Sequence, residues 1–135
     1  MSNWTHVAAI VRVDFIKWDE DTSELDFDEI VGKECLFEFD RETWNDARSN
    51  PDKYLPMGSE GSLHKSIWIN PDKNCLARYT ISIFGDLRDH NSPQEIIDWF
   101  KKLCDKLGNS VRNAVITASN EVNGDLTWSW SDEDE

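Results

Sequence analysis

Three groups of residues have the types that chemistry needs. The run Gly85-Asp86-Leu87-Arg88-Asp89-His90 brings carboxylates, a guanidinium and an imidazole together between a predicted strand and a predicted helix. Loops in that place often carry function. A hydrolytic or transfer site also needs a nucleophile beside a base, and a third group to orient the base. Asp86, Arg88, Asp89 and His90 lack a nucleophile or a second histidine among them. The run therefore reads first as a turn, held by Asp-to-backbone bonds and an Arg–Asp pair.

The second group depends on strand register. If successive side chains alternate in the usual way, Ile10, Arg12, His64, Trp68, Arg78, Thr80 and Phe84 point to one face of a sheet. Aromatic and Arg groups on an open sheet can stack nucleobases, as RNA-binding sheets do. A pI near 4.5 argues against nucleic acid, whose binders usually show a basic footprint. The same residues suit a protein–protein or homodimer interface, or a ligand site formed by Arg12, Arg78 or Arg88 with Trp68. A loop such as Asn50–Glu60 folded over the face would leave no site at all.

The third group is electrostatic. Of the net charge of −13, the stretch Asp14–Asp46 holds −10, from thirteen acids against Lys17, Lys33 and Arg41. Asp132–Glu135 adds −4, which leaves the remainder at +1. Such a surface repels phosphate backbones and attracts basic protein surfaces. Trp18, Asp19, Glu20, Asp21, Asp26, Asp28 and Trp44 are the candidate contact residues there, because tryptophan is a common interface anchor. Solubility alone is the plainer explanation of the same charge.

Other chemistries lack their signatures. Met57-Gly58-Ser59-Glu60-Gly61-Ser62 leads into a predicted strand rather than a helix, so it is no phosphate cradle. His6, His64 and His90 are far apart, and the acidic run lacks calcium-loop spacing, so no metal or cofactor is expected. Cys35, Cys75 and Cys104 form no CxxC pair. Cys75 and Cys104 fall on apolar periodicities and read as packed thiols. No apolar run approaches the roughly 18 residues of a membrane span, and the N-terminus lacks a signal-peptide pattern.

The elements that must position these residues follow from periodicity. Trp4–Phe15 alternates Val7, Ala9, Val11 and Val13 onto an apolar face, with His6, Ala8, Ile10, Arg12 and Asp14 opposite. Asp26–Val31 predicts a short helix stopped by Gly32, and Arg41–Ser49 one or two helical turns. Cys35–Phe39 reads as a short strand or edge segment. Gly61–Asn70 and Cys75–Phe84 form a hairpin across Asn70-Pro71-Asp72-Lys73-Asn74. Ser92-Pro93-Gln94-Glu95 caps a helix that runs to Leu107, with Gly108 as its stop. Its stripe is Ile96, Phe100, Leu103 and Leu107. Val111–Val122 and Asp125–Trp130 are strands joined by Asn123-Gly124. The order predicts a single α+β domain over residues 1–131: a ferredoxin-like βαββαβ sandwich with an extra C-terminal edge strand, helices on one face of a mainly antiparallel sheet. Residues 132–135 read as a disordered acidic tail.

The runs Leu55-Pro56-Met57-Gly58-Ser59-Glu60-Gly61-Ser62-Leu63, Trp68-x-Asn70-Pro71 and Ser82-Ile83-Phe84-Gly85-Asp86-Leu87-Arg88-Asp89 resemble a family of short uncharacterised bacteriophage proteins. Trp4–Ala8 and Arg112–Thr117 are also similar to that group. The resemblance implies a phage origin and an accessory role inside an infected bacterium; it does not imply an activity. The expectation is a non-enzymatic protein that binds a host protein with a basic surface, its most attractive version being inhibition of a host defence. It would contact neither nucleic acid nor membrane directly, and it could form a homo-oligomer. The alternative is a nucleotide-binding or nucleotide-sequestering oligomer.

Overall fold

A computed structural model describes residues 3–16, 27–34, 41–59, 61–70, 76–90 and 92–131. The expected strand at the N-terminus is β1, Trp4–Ile16. Its β-branched and small apolar residues, alternating with polar ones, suit the middle of a sheet with one buried face. It lies between β3 (Leu76–Arg88) and β4 (Val111–Asn120), antiparallel to both. Beyond β3 lies β2 (His64–Asn70), and beyond β4 lies β5 (Gly124–Ser131). The result is one five-stranded antiparallel sheet in the order β2-β3-β1-β4-β5.

Register sorts every strand into an inner and an outer set. Val7, Ala9, Val11 and Val13 of β1 are buried beside Tyr79, Ile81 and Ile83 of β3 and Ala114, Ile116 and Ala118 of β4. Helix α3 (Pro93–Leu107) closes one half of this core, contacting β4, β5 and β1. Ser92 caps it by accepting from the Glu95 N–H, and Gly108 ends it at φ +65°. Phe100 is fully buried, and its ring meets Trp128 edge-on at 5.8 Å. Burial of such a side chain is worth about 1.5–3 kcal/mol.

The other half of the inner face is covered by chain with little regular structure. Helix α1 (Phe27–Ile30) sets Phe27 against Tyr79 at 5.4 Å, and Val31, Leu55 and Leu63 join the core. Lys65 lies on the inner side of β2, yet its ammonium reaches the Gly32 carbonyl at 2.7 Å and pairs with Asp28. Its stem is buried and its charge satisfied at the rim. Helix α2 (Arg41–Ser49) packs mainly on a 3-10 turn at Pro51–Lys53, through Ala47 and Tyr54.

The α+β class and the antiparallel sheet thus match the sequence reading. The finer ferredoxin-like arrangement is not established. The fifth strand is the expected C-terminal edge strand, but α3 is the one long helix laid against the sheet among the described residues. The segment Asn50–Glu60 does not read as a simple loop either. It contains the 3-10 turn, and Tyr54 and Leu55 are buried in it. The expected strand at Cys35–Phe39 and the acidic tail lie outside the described residues. Among the described residues no helix is long and apolar enough to cross a membrane.

Candidate functional site

The outer face of the sheet is open. Rows across it can be read from the pairing: His64, Phe84, Ala8, Thr117 and Thr127; then Ser66, Ser82, Ile10, Val115 and Ser129; then Trp68, Thr80, Arg12, Asn113 and Ser131. Trp68 is 59% exposed and Ile10, on the central strand, is 48% exposed. Phe84 and Val115 are exposed as well. Large side chains clustered on one face mark a contact surface more often than scattered ones do. Segment 50–59 does not seal it, because its Leu55 belongs to the inner core.

Arg12, His64, Trp68 and Arg78 do share this face, as their register predicted. Asp14 opposes Arg78 and receives Arg12 and Arg112, whose Nε atoms lie 3.9 and 3.4 Å from its carboxylate. His64 stands 6.1 Å from the Phe84 ring, with Nδ1 3.7 Å from Glu34. Arg88 does not join them. It lies ten positions along β3 from Arg78, roughly 33 Å at the usual rise per residue. One nucleotide cannot span both within a chain.

A further row crosses the sheet at its other end: Asp86, His6, Ser119 and Asp125. Asp86 holds His6 Nδ1 at 2.6 Å. Aspartate, histidine and serine on neighbouring strands suggest a relay, but the Ser119 hydroxyl donates to Asp125. Its proton is committed away from the imidazole, and the His6 and Asp86 side chains are both more than half exposed. A hydrolytic relay needs the opposite commitment and a site that excludes water. The His6–Asp86 pair was missed in the sequence because its members are 80 residues apart and meet only through register.

The loop residues Asp86, Arg88, Asp89 and His90 do not converge on one point. Asp89 adopts φ +58° and accepts from the Ser59 hydroxyl at 2.9 Å and from the Asn3 N–H. The Ser59 bond, then the Asn3 bond, hold its carboxyl below the usual range. His90 contributes its backbone carbonyl, which accepts from buried Thr5 at 2.5 Å and from buried Asn120 at 3.3 Å. This region is structural. Gly58 and Gly61 lie against the end of β3 so closely that a Cβ on Gly58 would sit 2.3 Å from the Arg88 carbonyl oxygen, and one on Gly61 2.2 Å from that of Asp86. The runs Leu55–Leu63 and Ser82–Asp89 therefore meet in one packing contact.

The acidic group fares differently. Trp18, Asp19, Glu20, Asp21 and Asp26 lie outside the described residues. Trp44 is on α2, and its side chain is likewise outside them. Asp28 pairs with Lys65, and Glu34 accepts from the Lys65 N–H at 2.8 Å. The Tyr54 hydroxyl bonds Asp46 at 2.6 Å and is the main cause of its lowered pKa. These three carboxylates of the acidic third serve internal contacts.

One more concavity was not foreseen. Lys101, Cys104 and Asp105 of α3, with Val111, Trp128 and Trp130, line a groove of about 390 Å³ beside β5. Cys104 is packed against the core, and burial pushes its thiol up to about 11. It is a packing thiol, not a nucleophile, at neutral pH. No family model, curated protein or solved structure matches this chain.

Proposed function

We propose that this chain is a non-enzymatic binding protein whose open sheet face docks a protein partner. The observation behind the reading is the cluster of Ile10, Trp68, Phe84 and Val115, exposed on one face among Ser and Thr residues. A rigid sheet presents these groups at little entropic cost, and aromatic anchors dominate such interfaces. Arg12 and Arg78 beside Asp14 supply a polar rim.

On the resemblance to phage proteins the partner would be a host protein in the infected cytoplasm, and inhibition of a host defence is the version of that role to which an acidic chain is suited. The charge of −13 favours a partner with a basic surface. The test is capture of a host protein from infected-cell lysate by the tagged chain. Trp68→Asp and Phe84→Asp should each abolish capture without lowering the thermal midpoint. Equal capture by both variants would overturn the reading. Affinity for the captured partner should fall as salt rises, and flat binding would remove the electrostatic component.

A nucleotide-sequestering role is the second reading, supported by the proximity of Trp68, Thr80 and Arg12 in one row. A nucleotide that raises the midpoint of the wild type but not of Arg12→Ala would favour it. For the architecture, we read the chain as a ferredoxin-like sandwich with a reduced first crossover. The position of β1 between β3 and β4, with β2 beyond β3, supports that reading.

A further inference from the structure

Three arginines meet at one end of the open face. Arg12 lies on β1, two residues before Asp14, and Arg78 stands opposite Asp14 on β3. The third arginine comes from a break in register. Arg12 pairs with Asn113 but Val13 with Val111, so β4 holds one residue more than β1 there, and that residue is Arg112. A bulge of this kind re-aims a side chain, and here it sets Arg112 Nε 3.4 Å from the Asp14 carboxylate. Arg12 Nε lies 3.9 Å from the same group. Among the described residues the Arg78 Nε is buried without a hydrogen-bond partner. Asp14 is largely covered, whereas Arg12 and Arg112 are half-exposed, so positive charge is what this end of the face shows to solvent.

Three guanidiniums exceed one carboxylate by two charges. The other carboxylates of this face among the described residues, Asp86 and Asp125, lie in the His6 row. That row is six residues along β1 from Arg12, roughly 20 Å at the usual rise. Three further stretches follow strands at the arginine end. Residues 71–74 follow β2 and balance Asp72 with Lys73. Residues 17–21 follow β1 with three acids and one lysine, the first acid five positions beyond Asp14. Residues 132–135 follow β5 with four acids and no base. The last stretch has the nearest anchor, because Ser131 pairs with Asn113, the neighbour of Arg112. Strands are about 4.8 Å apart, so β4 lies one spacing and β1 two spacings from the line of β5, and four extended residues span about 13 Å.

We propose that Asp132–Glu135 lies across Arg112 and Arg12 as a tethered anion, leaves Asp14 to Arg78, and so closes this basic end of the open face to outside anions. A short tether gives an effective concentration of about mM, which a dilute phosphate or nucleotide does not match. The contact is a property of the chain alone and does not rest on the docking of a partner. It would leave the face to partners that present neutral or basic groups.

NMR of the full chain reads the guanidinium Nε–H signals of Arg12 and Arg112, assigned by their loss in Arg12→Lys and Arg112→Lys. The combined change Asp132→Asn, Glu133→Gln, Asp134→Asn and Glu135→Gln should shift both signals and leave that of Arg88, at the far end of β3, in place. Raising salt from about 50 mM to about 500 mM should move the wild-type signals toward the same positions. Pyrophosphate, the probe anion, should raise the thermal midpoint of the neutralised variant and leave that of the wild type unchanged. Adding Arg112→Gln to that variant should remove the gain. Unmoved Arg12 and Arg112 signals in the neutralised variant would overturn the proposal, as would an equal shift at Arg88. So would larger shifts from Asp19→Asn, Glu20→Gln and Asp21→Asn together, which would assign the contact to the stretch after β1. A pyrophosphate gain as large in the wild type, or none in the neutralised variant, would also overturn it.

Discussion

Asn120 is the residue whose removal should cost most for its size. It is buried on the inner side of β4, and its amide joins three stretches of chain. The NH2 group donates to Thr5 Oγ1 at 2.8 Å and to the His90 carbonyl at 3.3 Å. The oxygen accepts from the N–H groups of Val122 at 3.0 Å and Asn123 at 2.7 Å, which shapes the turn into β5. Each such bond is worth about 0.5–1.5 kcal/mol net. The two turn amides can regain water after truncation; the buried pair cannot. Asn120→Ala should therefore cost about 3 kcal/mol, and the thermal midpoint should fall by about 10 °C for a chain of this size. Asn120→Asp is the sharper test. It keeps the acceptor for the turn but turns a second oxygen toward the Thr5 hydroxyl and the His90 carbonyl. It should be at least as destabilising at neutral pH, and should recover in part as acid protonates the new carboxyl. Thermal melts followed by circular dichroism measure both. A fall of less than about 2 °C for Asn120→Ala would refute the account, as would strict additivity with Thr5→Val, since residues sharing a bond should couple.

Gly61→Ala should cost far more than Gly124→Ala. Both glycines have positive φ, but the added Cβ meets the Asp86 oxygen at 2.2 Å in the first case and nothing within 4 Å in the second. Urea melts should show about 1–2 kcal/mol for Gly124→Ala, the backbone term alone, and a clearly larger loss for Gly61→Ala; equal losses would contradict the close approach. Cys104, raised to about 11 by burial, should resist thiol reagents at neutral pH and react faster as the solution becomes alkaline. Comparison with Cys104→Ser assigns the signal, and rapid neutral labelling would refute the burial. Asp46 and Asp89 both have lowered pKa values, chiefly through the Tyr54 and Ser59 hydroxyls. A depressed folded value gives stability that is present above the unfolded value of 3.8 and lost as pH falls through the folded one. Asp46→Asn and Asp89→Asn should each flatten the midpoint-against-pH curve in that acid range, and an unchanged slope would show that the hydroxyl bonds do not persist in solution.

The strands and the long helix could be read from the chain because their signals are local. Alternation assigns Val7–Val13 to the core whatever the partners of β1 are, and Ser92, Pro93 and Gly108 bound α3 by their own backbone chemistry. The membership of the open face was legible for the same reason, since parity along a strand decides which side Arg12, Trp68 and Arg78 occupy. Parity does not say which strands are neighbours or what lies over them. Only tertiary pairing set Asp86 on His6, Asn120 on Thr5, and Gly58 and Gly61 on the end of β3. Pairing also left β5 at an edge with Trp128 and Trp130 beside a groove. The division has a physical origin: a residue's own torsional preferences and the period of its element act over a few positions. Which surfaces meet depends on burying apolar area across the whole chain, and that sum has no local term.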